Sequence, residues 1–427
     1  MASTYGRILS KPGAASFSIA GLIARFPMSM FGISTILAIQ GLYGNYSAAG
    51  IVSAANIVAA AVGAPILARL VDAHGQSRVM LPAVLGSTAS EVALVIATTR
   101  HAPLGLLIVL TALGGGLAGS MGSLVRSRWT VVLDRPAEIH TAFSLEAAFD
   151  EVAFIIGPVL ATALCTTSAL PVTSGWIVSI TLQTVGSLWF LAQRATEPAP
   201  HPRASRRRTR LAEGAPGREG ELTALAPAPL TPVLRNGAVI AVIAIFTASG
   251  AMFGANDVAA VAFATEAGRK SAAGVVLAAW GVGSLTAALV YGSRTWSWPL
   301  WKQIAMGTVV LAVGASTFML APNLVVLFVL MVLTGMSIAP TVTTGNNIVQ
   351  AVVAPGQLTE GLAWLSTSMN VGVSLGSVLA GHAVDAGGSH GGYLLVAACG
   401  WLSVVGLLGG LRVIQRAKPH RSIDAVG

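Results

Sequence analysis

Four ionisable residues, Arg25, Glu146, Asp150 and Glu151, stand in stretches of sequence that are otherwise apolar. Placing such a group in a membrane helix costs something on the order of 3 kcal/mol, so a charge there marks a functional site by default. Arg25 falls about nine residues into its stretch, roughly 14 Å from the membrane edge at 1.5 Å per residue. Asp150 and Glu151 reach a similar depth in theirs, about 15 Å. Glu146 and Asp150 are four apart and share a helix face, whereas Glu151 points about 100° away. Arg25 is expected to neutralise one carboxylate, Asp150, leaving Glu151 or Glu146 as an acid able to carry a proton. The competing reading is a structural polar knot in which every acid is satisfied.

The elements that hold these residues must lie in lipid. The chain of 427 residues is 54% hydrophobic and only 10% charged, against roughly 25% charged in a soluble domain. A spanning helix needs about 20 mostly apolar residues. Such stretches occur at 16–39, 48–68, 79–99, 103–125, 140–164 and 173–193. After a polar interval they return at 236–262, 271–292, 302–321, 324–345, 361–384 and 391–412. The first holds Arg25 and is too long for a cleaved signal peptide. The expected fold is therefore all-α, a membrane protein of twelve transmembrane helices. Residues 1–193 form an N-terminal six-helix bundle, 194–235 a cytoplasmic linker, and 236–427 a C-terminal six-helix bundle.

The net charge of +9 has a positional meaning. Basic residues crowd the segments on one side, among them Arg69, Arg78, Arg126, Arg128 and the arginines from Arg194 to Arg235. The opposite loops hold only Arg100, Arg269 and Lys270. Cytoplasmic loops retain Lys and Arg, so both termini are expected on the cytoplasmic side, and the Arg-over-Lys, Ala-rich bias points to a bacterial inner membrane. Nucleic acid is excluded as a partner, because the basic groups are not laid along one folded face. The run Arg206-Arg207-Arg208 reads as a loop touching lipid headgroups.

Other chemistries find no support. Two cysteines exclude a disulfide framework, and the scattered histidines offer no metal spacing. Gly114 to Gly119 matches a dinucleotide pattern but lies inside a span with no preceding strand. No phosphate-binding loop, cofactor motif or nucleophile–base pair is present, so the chain is expected to be neither an enzyme nor ATP-driven.

The two halves repeat one another. Ser47-Ala48-Ala49-Gly50 matches Ser271-Ala272-Ala273-Gly274, and Met30-Phe31-Gly32 matches Met252-Phe253-Gly254. Pro136, Gly157 and Val159-Leu160-Ala161 match Pro355, Gly376 and Val378-Leu379-Ala380 in order. Parallel six-helix repeats about an axis normal to the membrane describe an alternating-access transporter. The turn from Ala68 to Arg78 then resembles the signature loop of the major facilitator superfamily, with Leu70, Asp72, Gly75 and Arg78 in register. The resemblance implies that fold, two bundles related by a pseudo-two-fold axis. It also implies a latch in which Asp72 pairs with Arg126 or Arg128 and caps the start of the eleventh span near Thr359. Gly157 and Pro158, with Ala153, Ala161 and Thr162, resemble the family's antiporter motif.

The function implied is secondary active transport by alternating access, with proton-coupled efflux of a small organic molecule. Proton-coupled import of a metabolite is the alternative, and a non-transporting receptor or enzyme the reading from another class. The partners are a small-molecule substrate, protons and the lipid bilayer, the protein acting as a monomer with the proton gradient as its energy source. Asn56, Asn256, Asp257 and Asn370 are candidate cavity residues. Glu91, in mid-span, reads as a buried neutral acid. Span four offers no arginine near Leu110 to Gly115, which leaves Arg25 to serve the acids.

Overall fold

The computed structural model describes residues 2–200, 233–292, 297–353 and 358–416, and every regular element among them is a helix. Eleven stretches are long and apolar enough to cross a membrane. In chain order they are Ala14–Tyr43 (span one), Tyr46–His74 (two), Gln76–Thr99 (three), Leu104–Val132 (four), Thr141–Thr166 (five) and Ser174–Ala192 (six). Then come Gly237–Glu266 (span seven), Lys270–Tyr291 (eight), Leu300–Leu320 (nine), Leu324–Val352 (ten) and Gly361–Arg416.

The last stretch is two spans. Its backbone leaves helical angles at Gly387 and at Gly388, where φ is 62°, a left-handed value that glycine adopts without steric cost. Before the bend, Gly372 and Gly376 lie against Thr247 and Ala251 of span seven. After it, Gly392, Gly400 and Gly410 meet Ala259, Met252 and Ala241, in descending order. The chain has reversed, so span eleven runs beside span seven in parallel and span twelve in opposition. Twelve crossings follow.

The repeat is visible in the helices as well as in the letters. Spans four and ten, Leu104–Val132 and Leu324–Val352, are each 29 residues long, and each is broken part-way. Span four breaks at Gly119, where φ is 69°, and span ten at Met336–Ser337. Span one is broken at Phe26–Pro27, because proline has no N–H to continue the ladder. Phe26 N–H turns instead to Ile23 O.

The break in span four corrects the sequence reading. Hydropathy ended that span at residue 125 and left Arg126 and Arg128 in a loop. The helix restarts at Met121 and runs to Val132, so both arginines belong to the span. Of the linker, only the ends are described, as short turns at Arg194–Thr196 and Val233–Arg235. The Arg206 run lies outside the described residues.

With six spans before the linker and six after it, both described ends of the chain and the linker lie at one end of the molecule, here the linker side; the other is the far side. The apolar core differs between them. At the linker side it is two separate bodies, one of Phe17, Leu124, Trp129 and Phe190 in the first half. The other, of Val239, Phe246, Ile348 and Leu365, belongs to the second half. Toward the far side, one cluster joins Met30, Ile33, Leu37 and Ala161 to Ala255, Val258, Val276 and Ala279. The halves are packed together there and parted at the other end.

Glycine makes the far-side packing possible. A Cβ on Gly50 of span two would strike the backbone carbonyl of Ser377 in span eleven. One on Gly381 would strike Tyr46 O, and one on Gly274 of span eight would strike Pro158 O in span five. Small residues permit such approach between membrane helices, where dispersion replaces the hydrophobic effect as the driving force.

Candidate functional site

Three of the four charges of the first half meet, Arg25, Glu146 and Asp150, with a further group that the sequence reading placed elsewhere. Span one delivers Arg25 at the last turn before the Pro27 break, where Arg25 Nε also bonds Gly21 O at 3.0 Å. Its guanidinium bridges two carboxylates, reaching Asp150 Oδ1 at 2.8 Å through Nη1 and Glu146 Oε2 through Nη2. Arg126 of span four bonds the other oxygen, Asp150 Oδ2, at 2.9 Å. Glu146 Oε1 accepts from Ser18 Oγ at 2.5 Å and from Trp129 Nε1 at 2.8 Å.

The outcome corrects the expected assignment. Arg25 does not choose Asp150 over Glu146; it holds both. Glu146 is fully buried, with donors on both oxygens from spans one and four. Such full pairing is what burial of a carboxyl group demands. Of the two acids offered as proton carriers, Glu146 has a donor on each oxygen in this conformation. Two arginines against two carboxylates close the network at zero net charge.

Glu151 stands outside it. The residue is half-buried and makes no hydrogen bond or ion pair to a described residue. Helical spacing puts it on the face of Ile155, Pro158 and Thr162. That face packs on span eight: Gly274 meets Pro158 and Thr162, and Gly281 meets Ile155. Glu151 lies one turn beyond Ile155, toward the linker side. Gly157 sits on another side of the helix, packed against Ser29 and Met30 of span one, and Ser29 Oγ bonds Ala153 O at 2.7 Å.

The four cavity candidates separate. Asn370 is exposed on the side of span eleven that carries Ser377, Gly381 and Asp385, so it faces the opening between the halves. Asp257, on span seven one turn past Gly254, is half-buried and makes no hydrogen bond to a described residue. Asn56 instead joins spans two and four, its Nδ2 at 3.5 Å from Thr111 O with Gly115 packed against it. Asn256 is fully buried inside the second half, on the span-seven face of Phe253 and Phe263. Those rings meet Trp280 and Tyr393 at 5.2 and 6.0 Å. Neither Asn56 nor Asn256 lines the opening.

The latch pairing is not made in this conformation. Asp72 and Arg78 are exposed, and Asp72 has no partner among the described residues. Arg126 is committed to Asp150. Arg128 is wholly buried, bonding Gln76 Oε1 at 2.9 Å, Gln193 O at 2.7 Å and Thr196 Oγ1 at 3.0 Å. Its guanidinium lies 3.8 Å from the centre of the Phe190 ring. Gly75, with φ 94°, makes the turn, and the side chain of Thr359 lies outside those described.

Glu91 forms a knot of its own between spans three, four and six. Gln183 Nε2 donates to its Oε2 at 3.3 Å and to Ser87 Oγ at 2.9 Å, and Ser87 Oγ donates to Gly114 O at 2.8 Å. No basic side chain among the described residues bonds it. Glu91→Gln keeps an acceptor for Gln183, so its unfolding free energy in detergent should change by no more than about 1 kcal/mol, the net worth of one hydrogen bond.

Comparison with known proteins now decides the family. The profile of the Major Facilitator Superfamily matches residues 17–265, more than half of the chain. The chain belongs to the major facilitator superfamily. It is thus a multi-pass secondary transporter and not an enzyme. No curated protein matches this facilitator, but solved structures share its fold. The nucleoside transporter NupG is 13% identical, with a TM-score of 0.68 over 94% of this chain and 99% of that one. An auto-inhibited POT family peptide transporter is 14% identical, with a TM-score of 0.67 over 97% and 99%. A bacterial homolog of the human lysosomal transporter Spinster, inward-facing and unoccupied, is 14% identical with a TM-score of 0.64 over 97% and 100%. At these identities the likeness concerns the fold alone.

The sequence missed three members of the facilitator's charge network: Arg126, Ser18 and Trp129. The available signal was Gly119, a helix break inside an apolar run, after which a second helical segment brings Arg126 and Trp129 to the same side.

Proposed function

We propose that the protein exports a small organic molecule in exchange for protons, with Glu151 as the proton-carrying acid. One observation carries the reading: Glu151 is an unpaired carboxyl one turn to the linker side of the contact between spans five and eight. Rocking the halves the other way would press that face against span eight. A carboxylate there has water while the cleft is open and loses it on closure, so closure is favourable once its charge is met either by a bound solute or by a proton, each excluding the other. The paired acids, Glu146 and Asp150, keep their arginines and hold spans one, four and five in place around it.

The concentration of Lys and Arg puts the linker side, and with it the termini, in the cytoplasm. The cleft then opens to the cytoplasm, where substrate enters as a proton leaves. One charge moving through 100 mV supplies about 2.3 kcal/mol, enough for roughly fifty-fold accumulation per proton.

The test uses everted membrane vesicles energised to an inside-acid gradient, a pH-sensitive dye, and a panel of small organic solutes. A transported solute should dissipate the gradient with the parent protein. Glu151→Gln should abolish that response while leaving solute exchange at equal pH intact. A Glu151→Gln protein that still couples solute to protons would overturn the assignment.

A further inference from the structure

Spans two and eleven belong to different halves and run antiparallel, and at the far side the end of span eleven lies beside the start of span two. The two ends have the same sequence pattern: Val71-Asp72-Ala73-His74-Gly75 closes span two, and Val384-Asp385-Ala386-Gly387-Gly388 closes span eleven. They also have the same turn. Gly75 and Gly388 both take positive φ, 94° and 62°. After Gly75, Ser77 N and Oγ donate to the carboxylate of Glu197 at 2.7 and 2.6 Å. After Gly388, Ser389 N donates to Glu266 at 2.7 Å and Ser389 Oγ bonds the same carboxylate. In each case a glutamate, Glu197 just past span six or Glu266 at the end of span seven, ties down the first residues of the next helix.

The parallel duplication does not explain this likeness, since it matches span eleven with span five. The second turn lies on the far side, in the other half.

There its aspartate is engaged. Asp385 accepts from Tyr46 N at 2.9 Å, Ser47 N at 2.7 Å and Ser47 Oγ at 2.5 Å. It caps the first turn of span two across the boundary between the halves, where helix N–H groups lack partners of their own. Asp72, the matching residue at the linker side, is exposed and without a partner among the described residues.

We propose that Asp385 is a positioning residue for the transport cycle: it latches the far-side closure by capping span two, reciprocally to Asp72 and span eleven at the other end. When the far side is closed, the linker-side ends of the two spans are apart, so only one aspartate can be engaged at a time. Each rocking movement therefore exchanges one cap for the other. Asp385 is exposed, so its charge is screened, and its hold rests on three directed hydrogen bonds. The proposal is independent of the solute and the ion, because it concerns only which end is shut.

The test reads conformation, not transport. Spin labels are attached to Gly44→Cys and His390→Cys on the far-side rims, in full-length protein in lipid nanodiscs. The native Cys165 and Cys399 are buried and are replaced by alanine. Interspin distances then report the closed and open far side. Asp385→Ala should raise the far-side-open population relative to the closed one by about fivefold, the usual factor for losing a helix N-cap. Ser47→Ala, which removes one bond of three, should move it the same way by less. Asp72→Ala should move it in the opposite direction, and the double variant should return toward the parent distribution. A residue of purely structural importance would lower the melting temperature without this opposed pair of shifts. Unchanged distances in Asp385→Ala and Ser47→Ala alike, with Gly50→Val shifting them in the same assay, would overturn the proposal.

Discussion

Gly50→Val will hold the far side of the protein open. The Cβ of any larger residue at this position meets the carbonyl of Ser377, which is backbone and cannot rotate away. Spans two and eleven would have to separate, and with them the contact between Gly381 and Tyr46 O. Overpacking of this kind costs typically 1–3 kcal/mol, about 5- to 150-fold in a conformational equilibrium. The cost falls only on the far-side-closed state, because Gly50 touches the other half only there. Each half keeps its own linker-side core, around Trp129 and around Phe246, so the melting temperature should move little. Solute flux in liposomes should fall by at least the factor by which the closed state is depopulated. A cysteine introduced at Ser47 should gain reactivity toward a membrane-impermeant thiol reagent. Normal flux together with an unreactive cysteine would show that the close approach of the two backbones is not required.

Arg25→Met will destabilise the protein more than any other single change in the charge network. It removes the one side chain that bridges Glu146 and Asp150. Asp150 retains Arg126 and some contact with water, being 24% exposed. Glu146 is 0% exposed and keeps only the neutral donors Ser18 and Trp129. Stranding a buried charge in this way costs about 3–5 kcal/mol. Arg25→Lys should fall between, since an ammonium supplies the charge but not a planar fork reaching two carboxylates at once. Removing the stranded partner as well, in Arg25→Met/Glu146→Leu, should recover most of the loss, because apolar replacement of a buried pair is commonly near neutral. Thermal unfolding in detergent measures all three. The double variant also separates scaffold from chemistry: it lacks the ion pair but keeps Glu151, so proton coupling should survive in it. Loss of coupling despite restored stability would place the proton on the network itself.

Much of this was legible in the sequence because lipid makes strong demands on composition. Helices that must be apolar for about 20 residues are easily counted, and charges among them are rare enough to be conspicuous. Arg25, Glu146 and Asp150 could be brought together on paper by depth and by the four-residue spacing of the two acids. The missing parts share a physical cause. Hydropathy ends a span where charge begins, so Arg126 and Arg128 fell into a loop although the helix continues past the Gly119 break. Direction around a helix is also poorly encoded when every face is apolar, which is why Asn256 turned inward and Asn370 outward. Asp385 escaped notice because it sits in a terminal turn. Its kinship with Asp72 appears only when span two is compared with span eleven, a pairing outside the duplication.

The uneven core has a thermal consequence. Opening the far side exposes the apolar contact of Met30, Ile33 and Leu37 with Ala255 and Val258, and wetting apolar surface raises the heat capacity. Closing the linker side withdraws Glu151, Asn370 and the rim of the Asp150–Arg126 pair from water, and drying polar surface raises it too. Both contributions have the same sign, opposed by the apolar surface that the two linker-side bodies bury between them, and where they outweigh it the exchange between the two conformations carries a positive heat capacity change. Its van't Hoff plot then curves, and cooling, which weakens apolar association, favours the state with its far side open.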